Sequence, residues 1–247
     1  MEEQKSTVRA VERALDVLLC FTDETELTLS EISTKISLHK STVHRLLASL
    51  ESKGFLIRDS QTDKYRLGFR IWELSANMTH ADDPAIMLLP EMESLRDLLG
   101  ETISLYVRDG RERIRIQAVQ SNQPIRRVAP VGVRMPLAVG ASSKVLMAYA
   151  DPADVADVLA DDNWPEWVDR DLFREQLAQI QKQGYATSIE EREVGAAAVA
   201  APIFDRHGKV VAALSVSGPS NRLTEEKMKE ISMPIRQSAA RMGKMMR

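Results

Sequence analysis

Apolar residues recur at helical spacing through the start of the chain and then give way to alternation. Val8, Val11, Leu15, Leu18 and Leu19 predict a helix over about 8–21, since residues three and four apart share one helix face. A short second helix is expected over 28–36, burying Ile32 and Ile36. It opens on Thr28-Leu29-Ser30-Glu31, the form of a capping box in which a hydroxyl and a carboxylate satisfy amides at the helix start. A third spans 39–53, with Val43, Leu46, Leu47 and Leu50 on one face and Gly54 as its stop. Two short strands follow, over 55–59 and 64–67, joined by Ser60-Gln61-Thr62-Asp63. Phe55 and Ile57, then Tyr65 and Leu67, alternate with polar partners along them.

Beyond this hairpin a helix is expected over 69–80, with Trp72 as a packing anchor. Asp82-Asp83-Pro84 breaks it, because proline disfavours a helical residue before it. The chain therefore divides into a domain over 1–68, a linker helix over 69–82 and a second domain over 83–247. The second domain begins with a helix over 84–99 and a strand over 102–108. Next, Ile114, Ile116 and Ala118 alternate with Arg113, Arg115 and Gln117 as a strand, with more strand around 125–128 and 133–137. Helices are predicted over 141–150, from Asp151-Pro152, and over 171–183 before Gly184. Strands over 196–204 and 209–217 meet at the turn Asp205-Arg206-His207-Gly208. Thr224 caps a last helix that runs almost to Arg247. Helices mixed with an antiparallel sheet make the fold α+β, in two domains.

Composition changes this picture in one place. Apolar content of 44% and charged content of 28% are ordinary for a globular protein. The net charge of −3 argues against a nucleic-acid binder only as an average over the chain. Lys35, Lys40, Arg45, Lys53, Arg58, Lys64, Arg66 and Arg70 stand against Glu51, Asp59 and Asp63. That is a local excess of about five positive charges, and phosphates feel charge mainly within a Debye length. No apolar run approaches the ~18–20 residues of a membrane span. The N-terminus, with Glu2, Glu3, Gln4 and Lys5, has no signal-like core. The single Cys20 excludes an internal disulfide. A cytoplasmic protein with no membrane partner is expected.

The polar face of the third helix carries Lys40, Ser41, Thr42, His44, Arg45, Ala48 and Ser49. These side chains suit base edges and phosphates, although any amphipathic helix has a polar face. The hairpin decides, since Arg58, Lys64 and Arg66 lie where the wing of a winged helix-turn-helix would clamp phosphate. An enzyme finds no support: there is no Gly-x-Ser-x-Gly elbow, phosphate-binding glycine loop or metal-spaced histidine pair. No catalytic residue, metal or cofactor is expected. A winged-helix module for protein contacts is the alternative that the basic helix and wing oppose.

The run Val8-Arg9-Ala10-Val11-Glu12-Arg13-Ala14-Leu15-Asp16-Val17-Leu18 closely resembles the IclR family of bacterial transcription regulators. So do Leu29-Ser30-Glu31-Ile32, Lys40-Ser41-Thr42-Val43-His44-Arg45-Leu46-Leu47, Gly54-Phe55-Leu56 and Tyr65-Arg66-Leu67-Gly68, and the likeness extends over nearly the whole chain. The resemblance implies double-stranded operator DNA as a partner, contacted by Lys40, Ser41, Thr42, His44, Arg45 and Arg66. It also implies a GAF-like sensor domain, a regulator (a repressor of a catabolic operon), and assembly as a homodimer or dimer of dimers.

For the sensor, Ser215 and Ser217 share one strand face, which the pattern alone leaves as solvent face or pocket floor. The resemblance makes Ser215-Val216-Ser217-Gly218-Pro219 one wall of an effector site, facing a second wall in the run from Pro136 to Lys144. Gly140, Ala141 and Ser142 would offer helix-start amides to a small carboxylate effector. Ser188 and Ala198 complete the expected site. Three positions depart from the family's habit: Ala198 often carries cysteine or another polar residue there, Ser188 can be acidic, and Ser143 stands where glycine is usual. Glu190, Glu191 and Glu193 read as a solvated loop or a pocket rim, and Arg126 and Arg127 as surface residues.

Overall fold

The computed structural model describes residues 7–22, 24–76, 84–126 and 130–246. Internal packing divides the chain into two units, Met1–His80 and Ala81–Arg247.

The first unit contains α1 (Arg9–Leu19), β1 (Leu27–Thr28), α2 (Leu29–Lys35), α3 (Lys40–Ser52), β2 (Leu56–Arg58), β3 (Lys64–Leu67) and α4 (Phe69–Ala76). Its small antiparallel sheet has the order β1-β3-β2. The capping box forms: Glu31 N donates to Thr28 Oγ1 at 3.3 Å and Thr28 N to Glu31 Oε2 at 2.7 Å. The Thr28 amide holds the Glu31 carboxyl below the usual carboxylate range. Val17, Phe21, Ile32, Val43, Leu47, Leu56 and Tyr65 make one core, which fixes α3 with its polar face outward.

Sequence pattern and structure differ here at three points. β1 was not predicted, being too short to show alternation; it forms because Leu27 pairs with Tyr65. On α1 the core is reached through Val17, whereas Val8, Val11, Leu15 and Leu19 are all more than half exposed. The helix thus has a second apolar stripe that nothing within the unit covers. Trp72 is not a packing anchor: it is 72% exposed, and α4 has no buried residue. Of the helix expected over 69–80, residues 77–80 lie outside the described residues.

The second unit contains α5 (Pro84–Met87), α6 (Leu89–Leu99), β4 (Thr102–Asp109), β5 (Glu112–Val119), β6 (Arg134–Pro136), α7 (Ala141–Ala148), α8 (Pro152–Leu159), α9 (Arg170–Gln183), β7 (Ala186–Ile189), β8 (Ala196–Phe204), β9 (Val210–Pro219) and α10 (Glu225–Met245). Its six strands pair antiparallel in the order β6-β5-β4-β9-β8-β7. One helix was expected over 84–99; two form, because Pro90 brings no amide to continue the first turn. The strand expected around 125–128 is absent at Ile125 and Arg126, and its remainder lies outside the described residues. β7 was not predicted; its four residues are half polar and sit at the sheet edge.

Helices cover both faces of this sheet, so the central strand β9 is buried on both. Ala212, Leu214 and Val216 join the core that holds α6 and α10. Ala213 joins the other core, with α7, α8 and α9, and Ser215 and Ser217 continue along that face. α10 crosses β8 closely at Gly243, where an added Cβ would lie 2.2 Å from the Phe204 carbonyl oxygen. Gly243→Ala is therefore expected to cost about 1–3 kcal/mol by overpacking, read as a lower denaturation midpoint. An unchanged midpoint would show that the helix can retreat freely.

Candidate functional site

On the first unit, Lys40, Ser41, His44, Arg45, Ala48 and Ser49 of α3 are exposed and Thr42 is half-buried. The opposite face is locked by Val43 and Leu47, both fully buried. His39 caps the helix and its Nδ1 lies 2.8 Å from Ser41 Oγ. Lys40, His44 and Arg45 have no ion-pair partner among the described residues, so their charge and donors face solvent. On the hairpin the bases differ. Arg58 pairs with Asp63 at 2.8 Å and Lys64 approaches Glu26 at 3.8 Å, while the exposed Arg66 makes no salt bridge among the described residues. The Asp59 carboxylate shapes the wing turn, accepting from Gln61 N at 2.8 Å and Thr62 N at 3.0 Å.

On the second unit, Gly140, Ala141, Ser142, Ser188, Ala198, Ser215 and Ser217 all line one cavity that opens to solvent. Strand register explains the grouping: Ser217 lies opposite Ala198 on β8, and Ala198 opposite Ser188 on β7. Ser215 and Ser217 are therefore pocket floor, not solvent face, at 3% and 7% exposure. The hydroxyls of Ser142, Ser188, Ser215 and Ser217 make no hydrogen bond among the described residues. Each hydroxyl can donate one hydrogen bond and accept others, so these four can bond a molecule that enters the cavity.

The other wall is the start of α7. Gly140 is its N-cap, at φ 94° and ψ 152°, a conformation open in practice only to glycine. The turn aims helix-start amides, which lack intrahelical acceptors, into the cavity. The Glu191 carboxylate occupies this end. Its Oε2 accepts from Gly140 N at 2.9 Å, and its Oε1 accepts from the buried Lys144 Nζ at 2.5 Å. Of the acidic loop, Glu191 and Glu193 thus form part of the pocket rim, whereas Glu190 accepts from Ser220 Oγ at 2.9 Å.

Arg113, Arg115 and Tyr106 also line the cavity and were missed by sequence reasoning. Both arginines are only 3% exposed. Arg113 donates to Val139 O at 2.7 Å, and Arg115 donates to Tyr106 Oη from Nε at 2.9 Å. Their alternation with isoleucines looked like a solvated strand face; only the cover supplied from elsewhere in the chain turns it inward. Arg126 is exposed as expected, and Arg127 lies outside the described residues. Among the described residues no group of three or more metal-ligating side chains gathers, and no helix is long and apolar enough to cross a membrane.

Comparison with known proteins matches both units. The profile of the IclR helix-turn-helix domain fits residues 10–60, and that of the bacterial transcriptional regulator IclR C-terminal domain fits residues 77–243. The HTH-type transcriptional regulator KdgR of Escherichia coli is 30% identical over 252 residues, covering 98% of this chain and 96% of its own. The HTH-type transcriptional repressor AllR of the same species is 31% identical, covering 86% and 80%. Among solved structures, an IclR homologue from Microbacterium hydrocarbonoxydans complexed with 4-hydroxybenzoate superposes with a TM-score of 0.83. It is 27% identical and covers 96% of this chain and 98% of its own.

Proposed function

Since the chain belongs to the IclR family of bacterial transcription regulators, we propose that it represses a catabolic operon under the control of a small organic acid. In this reading it works in the cytoplasm as a homodimer or dimer of dimers, without enzymatic activity. α3 and the wing hold operator DNA through Lys40, Ser41, Thr42, His44, Arg45, Arg58, Lys64 and Arg66. The acid binds in the cavity of the second unit, at Gly140, Ala141, Ser142, Ser188, Ala198, Ser215 and Ser217. The uncovered stripe of Val8, Val11, Leu15 and Leu19 supports self-association, because contiguous exposed apolar surface usually marks an interface.

The observation that carries the reading is Glu191. Its carboxylate sits on the Gly140 amide and the Lys144 ammonium, standing in for the carboxylate of an effector. An acid that takes this place satisfies both donors again; a neutral molecule would leave a buried ammonium without its counter-charge, which is costly. The displaced acidic loop then differs between free and bound states. A ligand shifts the DNA-binding equilibrium only by preferring one of those states.

Glu191→Gln keeps the shape and removes the competing charge. Affinity for small carboxylates is expected to rise by about tenfold, the scale of one charge-assisted hydrogen bond, in a calorimetric titration. Unchanged affinity would mean that Glu191 does not occupy the acid's place. The direct test of regulation is the DNA-binding titration that closes the Discussion.

A further inference from the structure

A guanidinium presents five N–H donors in a fixed fork. In Arg115 three of them are spent: Nε and Nη2 donate to the Tyr106 hydroxyl at 2.9 and 2.5 Å, and Nη1 donates to Pro130 O at 3.1 Å. One N–H on each terminal nitrogen has no acceptor among the described residues. Among the described residues no carboxylate pairs with Arg115, although the residue is 3% exposed and lines the cavity. The Tyr106 hydroxyl accepts both of its bonds from Arg115, so its own proton is left to donate. A buried cation without a counter-charge is expensive, and this one is kept at the wall of a cavity whose floor is hydroxyls.

The position of Arg115 separates it from the α7 end. Arg113 marks that end, its guanidinium lying 3.1 Å from where a Cβ on Gly140 would stand. Arg115 is two residues farther along β5 on the same face, so the two Cα atoms are about 7 Å apart at 3.4 Å per residue. We infer that the effector is a short organic dianion, with one carboxylate in the place of Glu191 at Gly140 and Lys144 and the second on Arg115 and Tyr106. The inference rests on the carboxylate reading of the cavity and narrows it to a ligand class. Arginine suits the second position because its planar fork matches a carboxylate.

The test is calorimetric titration of the full-length protein with glutarate and adipate, beside valerate and hexanoate, their monocarboxylate counterparts of equal chain length. Each diacid is expected to bind about tenfold more tightly than its counterpart, or better. Arg115→Gln should abolish the difference, so that the variant binds each diacid no more tightly than it binds the matching monoacid. Equal binding of diacid and monoacid by the unaltered protein overturns the second anion position and leaves the carboxylate reading standing. Failure of all four acids to bind overturns the carboxylate reading, and the dianion with it. If Arg115→Gln does not fold, Tyr106→Phe makes the same comparison, since it keeps the ring and removes only the hydroxyl. A reduced diacid preference in that variant supports the inference, and an unchanged one overturns it.

Discussion

Operator affinity is expected to fall by about tenfold to a hundredfold when Arg45 is replaced by alanine, with acid binding unchanged. Arg45 stands on the exposed face of α3 and has no ion-pair partner among the described residues, so its loss leaves the packing of Val43 and Leu47 intact. A well-placed bidentate contact to a base is worth about 1–3 kcal/mol, and each 1.4 kcal/mol is a factor of ten. The variant also reports which kind of contact is lost. A phosphate contact would weaken all DNA alike and lower the salt dependence by about one counterion, whereas a base contact would relax preference at one position. A melting curve matching that of the unaltered protein, together with unchanged DNA affinity, would remove Arg45 from the interface.

The second large effect is expected in the other unit. The double substitution Ser215→Ala and Ser217→Ala should lower acid affinity by about tenfold to a hundredfold, at about 0.5–1.5 kcal/mol for each hydrogen bond removed. The free protein should be as stable as before or slightly more so. Both residues are buried at the cavity wall and their hydroxyls make no hydrogen bond among the described residues, so alanine breaks no contact within the protein. DNA binding without acid should be unaffected, and its response to acid should be lost. A structural role for the serines would give the opposite pattern, with a lower melting temperature and no selective loss of acid binding.

The first unit was largely legible in the sequence because its signals are local. The Thr28–Glu31 capping box and the alternation around Tyr65 each need only a few neighbouring residues, and each formed where expected. α1 shows the limit of periodicity. Its Val8, Val11, Leu15 and Leu19 pattern marks an apolar face correctly but cannot say whether the partner lies in the same chain, and Val17 took the core instead. In the second unit, the small residues that were expected to line a pocket do gather in one cavity, since strand register carries Ser188, Ala198 and Ser217 side by side. The charged residues of that cavity were not legible. Arg113 and Arg115 alternate with isoleucines as a solvated strand would, and Glu191 sits in an acidic loop like any surface turn. What makes them part of the site is contact across long stretches of chain, such as the one joining Glu191 to Gly140 and Lys144. No short-range pattern records such contacts.

The central claim is that one chain couples DNA held by α3 and the wing to an acid held in the second unit. The measurement that tests it most directly is a gel-shift titration of the purified protein against the DNA flanking its own gene, with and without a panel of small mono- and dicarboxylates. The account predicts a specific shift whose midpoint moves in the presence of at least one acid, with the movement abolished by the Ser215 and Ser217 double substitution. A specific shift that no acid alters would contradict the coupling, and no shift with any DNA at low salt would contradict the assignment of α3 and the wing to DNA.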